Sequence, residues 1–251
     1  MTLDFDVERF NDAVAESDEQ HHESMRTFDR DIRDLHAETR RALGGTSRRD
    51  LLIRSALATT ALTFGSQILP LGGLFSGVAG AQTLTDADIA AFAASLEYAA
   101  VATYSAAAAT GKLTTKAIAD AAAAFALQHK AHGDAFAGAA ADKIVPDSPN
   151  KTVLTALSTR LSQATTEMDI VKLAFEVENA AAATYQFALG ALEDVKYQVL
   201  TASILPIEAG HAAVLGQILF MGDPKKDKEE AWLPAFQTEA GFVDPTKNPL
   251  T

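Results

Sequence analysis

The stretch EYAAVATY at residues 97–104 recurs 81 residues later as ENAAAATY at residues 178–185. Both copies are rich in alanine, which has the highest helix propensity, and neither shows the strict alternation of apolar and polar residues that is typical of a strand. Each copy places a glutamate and a tyrosine seven residues apart on an otherwise largely apolar segment. The repeat therefore predicts two related helices, each with one carboxylate on an apolar face.

A second pair of motifs repeats with nearly the same offset. HKAH at residues 129–132 is followed 79 residues later by EAGH at residues 208–211. Self-similarity at a fixed period indicates duplicated structural units. Chance similarity between alanine-rich helices would not also place Glu, Tyr and His in register, so we interpret the region as two related helical hairpins.

Helix start and stop signals divide this region into four helices. They are predicted over residues 86–110, 115–141, 167–192 and 195–221. Short links join the members of each pair, whereas residues 142–166 form a long connection with a short helical piece near residues 153–161. This order of connections predicts an all-α fold, a four-helix bundle with one long crossover, as in ferritin-like bundles.

Composition excludes several classes of function. The chain of 251 residues is 48% hydrophobic and 22% charged, which is typical of a folded globular protein. It has no cysteine, so disulfides, thiolate zinc sites, iron–sulfur clusters and cysteine nucleophiles are excluded. The net charge of −12 repels phosphate backbones and anionic bilayers, which argues against nucleic-acid binding and favours a cation as ligand.

Ionisable residues fall where a bundle should be apolar. Glu97 is the only charged residue between Ile89 and Gly111, and every histidine of residues 82–221 lies in one of the two short motifs. A buried carboxylate needs a partner or a cation, and a rise of ~1.5 Å per residue brings these groups to one level of the bundle. The predicted metal ligands are Glu97, His129, His132, Glu178, Glu208 and His211.

Each of these residues also has an ordinary structural interpretation. A single helix glutamate is usually solvated, and a single histidine on an apolar face is more often a hydrogen-bonded core residue than a ligand. Their coincidence at one level on four helices favours the metal site, because carboxylates of like charge need a cation to share. Tyr104 and Tyr185 are predicted either to hold the ligands from a second layer or simply to pack in the core.

The region resembles the ferritin-like domain family of twin-arginine-exported bacterial proteins. The resemblance implies iron or manganese, one or two ions, with Glu97 and Glu178 as terminal ligands and Glu208 as a bridging carboxylate. It also implies His132 and His211 as terminal imidazoles. The sequence departs from the family pattern on one helix, where His129 stands in place of a bridging glutamate.

This departure predicts two unequal halves of the site. A neutral imidazole offers one donor, whereas a carboxylate offers two charged oxygens that can bridge. The half with Glu178, Glu208 and His211 should therefore hold its ion more tightly than the half that depends on His129. A loosely held pair of ions or a single ion is expected.

The first 81 residues have a different character. Residues 1–45 carry twelve acidic residues and few large apolar ones, and are predicted to form a polar, solvated arm, for which a helix is one option. In residues 46–81, Arg48 and Arg49 precede an apolar run that ends in Ala79-Gly80-Ala81, which resembles a twin-arginine export signal with its cleavage site. The alternative is a chance arginine pair before a buried helix.

Export would make the twin-arginine machinery a partner and the periplasm or cell envelope the destination. An uncleaved segment would instead anchor the protein in the membrane. Residues 82–221 would form the bundle, and the tail at residues 222–251 would pack along it or form a homo-oligomer contact.

Two classes of function follow from these predictions. The first is a metal-binding protein that oxidises its metal or reduces O₂ or peroxide. The second is a non-catalytic exported bundle with a structural or stress-related role. Iron storage in a large shell is a weaker third, since export and the extra tail are unusual for it.

Overall fold

The computed structural model describes residues 6–42, 85–140 and 147–220, and within these ranges all regular structure is helical. The predicted all-α fold is confirmed. We number the helices in chain order as α1 (Val7–Ala42), α2 (Asp86–Ala109), α3 (Lys116–Ala139), α4 (Lys151–Gln163), α5 (Glu167–Ala191) and α6 (Val195–Phe220).

The first helix of each hairpin begins with the same capping box. Thr85 accepts a hydrogen bond from the backbone N–H of Asp88, and the Asp88 side chain accepts one from the backbone N–H of Thr85. Thr166 and Asp169 repeat this arrangement 81 residues later. Capping satisfies backbone groups that a helix start leaves unpaired. The duplication therefore extends from the helix starts to the glutamates in the middle of both helices.

The helices form two hairpins, α2 with α3 and α5 with α6, and α4 crosses between them along α2. One apolar cluster lies toward the α5–α6 connection and includes Tyr98, Phe136 and Ile204. Another lies toward the α2–α3 connection and includes Phe125 and Leu215. The level between these clusters, where packing is interrupted by polar side chains, holds the candidate site.

Helix α1 differs from the solvated arm predicted for residues 1–45. It packs against α6 and α3 and buries Phe10, Ser17 and His21, which are 1%, 4% and 4% exposed. Spacings of seven and four residues place these side chains on one face of the helix. The expectation of a solvated arm is therefore wrong for this face. The buried stripe is narrow and contains Ser and His, so the sequence shows no apolar pattern there.

One helix is apolar enough to raise the question of a membrane. Among the described residues, Val195–Leu219 could cross a membrane by length and composition, but 61% of its most apolar window is buried inside the bundle. This helix also carries Glu208 and His211 in the core. Packing within the bundle accounts for its apolar character.

The predicted export signal and the C-terminal tail lie outside the described residues. The signal includes Arg48, Arg49 and the cleavage site at Ala79 and Ala81, and the tail is residues 222–251. The corresponding boundaries stay predictions.

Candidate metal centre

All four bundle helices contribute to one buried polar cluster. Glu97 comes from α2 and Glu178 from α5, while α3 and α6 each supply two residues spaced three apart, which share a helix face. None is more than 2% exposed. The structure brings together the full predicted set of Glu97, His129, His132, Glu178, Glu208 and His211.

The six residues form two overlapping groups of four. One contains Glu97 and His132, the other contains Glu178 and His211, and both include His129 and Glu208. Within each group one ligand atom per residue lies within 4.8 Å of all the others. Two carboxylates and two imidazoles around one point form a nitrogen and oxygen donor set that suits divalent transition metals.

His129 lies between the two groups. Its Nδ1 is 2.7 Å from Glu97 Oε2, and its Nε2 is 3.1 Å from Glu178 Oε1. A neutral imidazole has one lone pair for a metal, so His129 can serve one group at a time. The sequence placed His129 only in the weaker half, whereas the structure places it within reach of both.

Three buried atoms at the centre have no hydrogen-bond partner. They are His132 Nδ1 and both carboxylate oxygens of Glu208. His132 Nδ1 and Glu208 Oε1 lie 2.8 Å apart, but they do not meet the angular requirements of a hydrogen bond. Buried polar atoms without partners are costly. A cation at this point would satisfy all three, so the residues present fit a metal.

Charge pairing within the cluster shifts the pKa values strongly. Burial opposes ionisation of Glu97, but His129 and His132 lower its pKa to about 2. Burial likewise disfavours a charged His132, yet Glu208 and Glu97 raise its pKa to about 9. Without metal, the cluster is therefore a set of imidazolium and carboxylate pairs. Metal binding has to displace protons from these histidines.

Tyr104 and Tyr185 lie in contact with the cluster. Tyr104 donates a hydrogen bond to Glu178, and Tyr185 donates one to Glu97. Burial and the neighbouring carboxylates raise the pKa of both hydroxyls well above the usual value, so both remain protonated donors. Each hydroxyl fixes the orientation of one glutamate.

Helix α1 supplies contacts that the sequence did not predict. His21 Nδ1 lies 3.0 Å from His132 Nε2. Gln128 is 2% exposed, and its Oε1 lies 2.6 Å from His211 Nε2, while its Nε2 donates to Asp18 at 2.9 Å. Two features of the sequence could have indicated these contacts. His21 lies at helical spacing from the residues of α1 that are buried, and Gln128 lies one turn before His132.

A small cavity opens onto the cluster between α2, α4 and α5. It encloses about 80 Å³ and is lined by mostly apolar side chains together with Glu97 and His129. Arg160 of α4 and Glu176 of α5 also line it and form an ion pair with each other. The cavity offers space for a molecule of a few atoms beside the carboxylates.

Comparison with known families agrees with this architecture. The family model for the ferritin-like domain matches residues 85–221. The chain belongs to this family. The match spans the two hairpins and the crossover of the ferritin-like domain, and it begins after α1. No curated protein and no solved structure gives a significant match to the chain.

Proposed function

We propose that this ferritin-like protein binds iron or manganese in the core of its bundle. The observation that carries the proposal is a set of buried atoms without a hydrogen bond. They are both oxygens of Glu208, which belongs to both four-residue groups, and Nδ1 of His132, which belongs to one of them. The donors are only nitrogen and oxygen, without thiolates, and such sets suit iron and manganese among other divalent metals. Family membership supports the same conclusion.

The chain's own residues prepare the site for redox chemistry. Glu97 and Glu178 are held by tyrosine hydroxyls, and the side chains of the cluster are almost fully buried. A bound iron or manganese ion would supply electrons to O₂ or peroxide. The adjoining cavity of about 80 Å³ has room for such a small oxidant. We therefore propose metal oxidation, or reduction of O₂ or peroxide, as the activity.

His129 determines how many ions are held tightly. Because it can complete only one of the two groups at a time, we expect one strong site and one weak site in each chain. His129→Glu introduces a carboxylate that can bridge and should raise the stoichiometry toward two. Glu208→Gln weakens a ligand common to both groups and should lower occupancy of both. Titration calorimetry with Mn²⁺ distinguishes these results from two equal sites in the parent.

A non-catalytic role has one specific observation in its favour. The pKa of His129 is raised well above its usual value by Glu178, Glu208 and Glu97, despite burial. The imidazolium then bridges Glu97 and Glu178 as an internal cation. In that case the cluster is a buried ion-pair network that needs no metal.

Metal analysis of the purified full-length chain separates the two functions. We expect iron or manganese to copurify, and added Fe²⁺ or Mn²⁺ to raise the melting temperature by mass action on the native state. Lys116→Gln, which changes an exposed charge outside the cluster, serves as a control and should respond like the parent. A chain that contains no metal and gains no stability from either ion supports the ion-pair network instead.

We also propose that the protein is exported by the twin-arginine route. The support is the order of Arg48 and Arg49, an apolar run and the small-residue motif at Ala79 and Ala81. Replacing both arginines by lysine should retain the protein in the cytoplasm, as cell fractionation would show. Arg40→Lys with Arg41→Lys is a matched control, because that pair has no adjacent apolar run. Normal export of the Arg48 and Arg49 double variant contradicts the assignment.

A further inference from the structure

We propose that helix α1 is part of the metal centre, in which His21 and Asp18 position the ligand histidines His132 and His211 from outside the four-helix bundle. This inference rests on the proposed metal binding and deepens it. The family match begins after α1, so nothing in that match assigns a role to this helix.

The first connection runs from His21 to His132. The Nδ1 of His132 faces the carboxylates, at 2.8 Å from Glu208 Oε1 and 3.7 Å from Glu97 Oε1. Its Nε2 points the other way, 3.0 Å from His21 Nδ1. An imidazole that gives the Nδ1 lone pair to a metal must carry its proton on Nε2. His21 Nδ1 accepts that proton in a hydrogen bond and so selects the tautomer that binds metal.

The second connection runs from Asp18 through Gln128 to His211. The Nδ1 of His211 lies 3.2 Å from Glu178 Oε2, on the carboxylate side. Its Nε2 lies 2.6 Å from Gln128 Oε1, which can only accept a hydrogen bond. The amide nitrogen of Gln128 donates to Asp18 Oδ1 at 2.9 Å, which fixes the orientation of the amide. His211 is thereby held with its Nδ1 lone pair free for a metal.

Both connections end on one turn of α1. Asp18 and His21 are three residues apart and lie on the same face of the helix. The helix is docked separately by Phe10, which packs with Phe125 and Leu215 in the apolar cluster toward the α2–α3 connection. Docking of α1 therefore sets the orientation of one ligand histidine in each of the two metal-binding groups.

Binding of Co²⁺ to the full-length chain tests the first connection. Outer-layer partners of ligand histidines typically contribute 10–100-fold to metal affinity. His21→Leu should weaken Co²⁺ binding by about this factor and change the visible absorption of the bound ion, with unchanged helical circular dichroism. His21→Asn retains an acceptor at the position of Nδ1 and should restore both properties. Gln20→Ala, on the exposed face of α1, is the control and should match the parent.

The same measurements on Asp18→Ala and Asp18→Asn test the second connection. Only Asp18→Asn keeps an oxygen that accepts a hydrogen bond from Gln128.

Equal weakening by His21→Leu and His21→Asn would show that only packing matters and would overturn the inference. Parent-like affinity and spectrum in His21→Leu and Asp18→Ala would overturn it while leaving the proposed metal binding intact. A parent chain that binds no Co²⁺ would overturn both.

Discussion

Tyr104 on α2 donates a hydrogen bond to Glu178 on α5, so it holds the glutamate of the other hairpin. The duplicated half has the matching bond, from Tyr185 on α5 back to Glu97 on α2. Each tyrosine lies seven residues after the glutamate of its own helix. The repeat in the sequence thus produces a reciprocal pair of bonds that joins the two hairpins at the level of the candidate metal centre.

Removing one of these hydroxyls should weaken both metal binding and folding. We expect Tyr185→Phe to lower Mn²⁺ affinity by about 10–100-fold, because Glu97 loses the donor that orients it. The free energy of unfolding should fall by about 1–3 kcal/mol. Titration calorimetry and chemical denaturation measure the two effects.

Tyr197→Phe is a matched control for this change. Tyr197 is also buried, but its hydroxyl donates to the backbone carbonyl of Ala139, away from the cluster. It should lose stability without losing metal affinity. Equal effects on affinity in the two variants would contradict the role assigned to Tyr185.

The sequence predicted the bundle well because the information for it is local and duplicated. Alanine-rich segments, helix start and stop signals, and one long crossover indicate the helices and their order without knowledge of long-range contacts. The six cluster residues were found because charged or titratable side chains are rare on apolar helix faces. The apolar residues around each of them therefore mark these six positions in the sequence.

The contribution of α1 could not be predicted in the same way. His21 and Asp18 have no counterpart in the duplicated part of the sequence, and they lie in a segment that is polar on average. Gln128 has the wrong spacing for a ligand, and its importance depends on a partner 110 residues away in sequence. Only the packing of α1 on α3 and α6 brings these groups to the cluster.

Gly133 is predicted to be essential for the close approach of α2 and α3. A Cβ atom at this position would lie 2.8 Å from the ring of Tyr98 and 3.2 Å from the Cβ of Glu97. Gly133→Ala should therefore push α2 away and displace Glu97, with a lower melting temperature and weaker Mn²⁺ binding.

Gly138 provides the control on the same helix. A Cβ atom there meets nothing within 4 Å. Gly138→Ala should leave metal binding unchanged and raise stability by up to about 1 kcal/mol, because alanine favours the helix. Thermal melts and titration calorimetry compare the two variants, and similar behaviour would show that the close approach is not needed.

The metal-free protein should be most stable at mildly acidic pH. The pKa of Glu97 is about 2 in the folded state, so its contribution is present above the usual value of 4.5 and is lost as the pH falls toward 2. The pKa of His132 is about 9, so its contribution is complete below 6.5 and is lost as the pH rises toward 9. Both contributions are complete between pH 4.5 and 6.5.

Melting temperatures of the chelator-treated chain across this range measure the effect. Glu97→Gln should reduce the fall in melting temperature at acidic pH. Asp120→Asn, at an exposed carboxylate, should leave that fall unchanged. A melting temperature that rises steadily up to pH 9 would contradict the charge pairing described for His132.

The position of α1 before the proposed twin-arginine segment bears on export. A segment that spans a membrane places the chain before it and the chain after it on opposite sides. If residues 46–81 act as the proposed export signal, the bundle cannot cross the membrane while α1 remains docked on it, and cleavage after Ala81 would also separate the two. We expect α1 to be docked before export and to leave the bundle during export.

A disulfide between α1 and α6 tests this expectation, and a chain without native cysteine makes the result unambiguous. A Cβ atom at Gly210 would lie 3.6 Å from Ser17 Oγ, which is close enough for Ser17→Cys and Gly210→Cys to form a disulfide. In cells with an oxidising cytoplasm, the double variant should be retained inside, whereas either single variant should be exported like the parent. Failure of the purified double variant to crosslink would contradict the docking of α1. Export of the crosslinked chain with α1 still attached would show instead that α1 travels with the bundle, in which case residues 46–81 do not span the membrane as a signal.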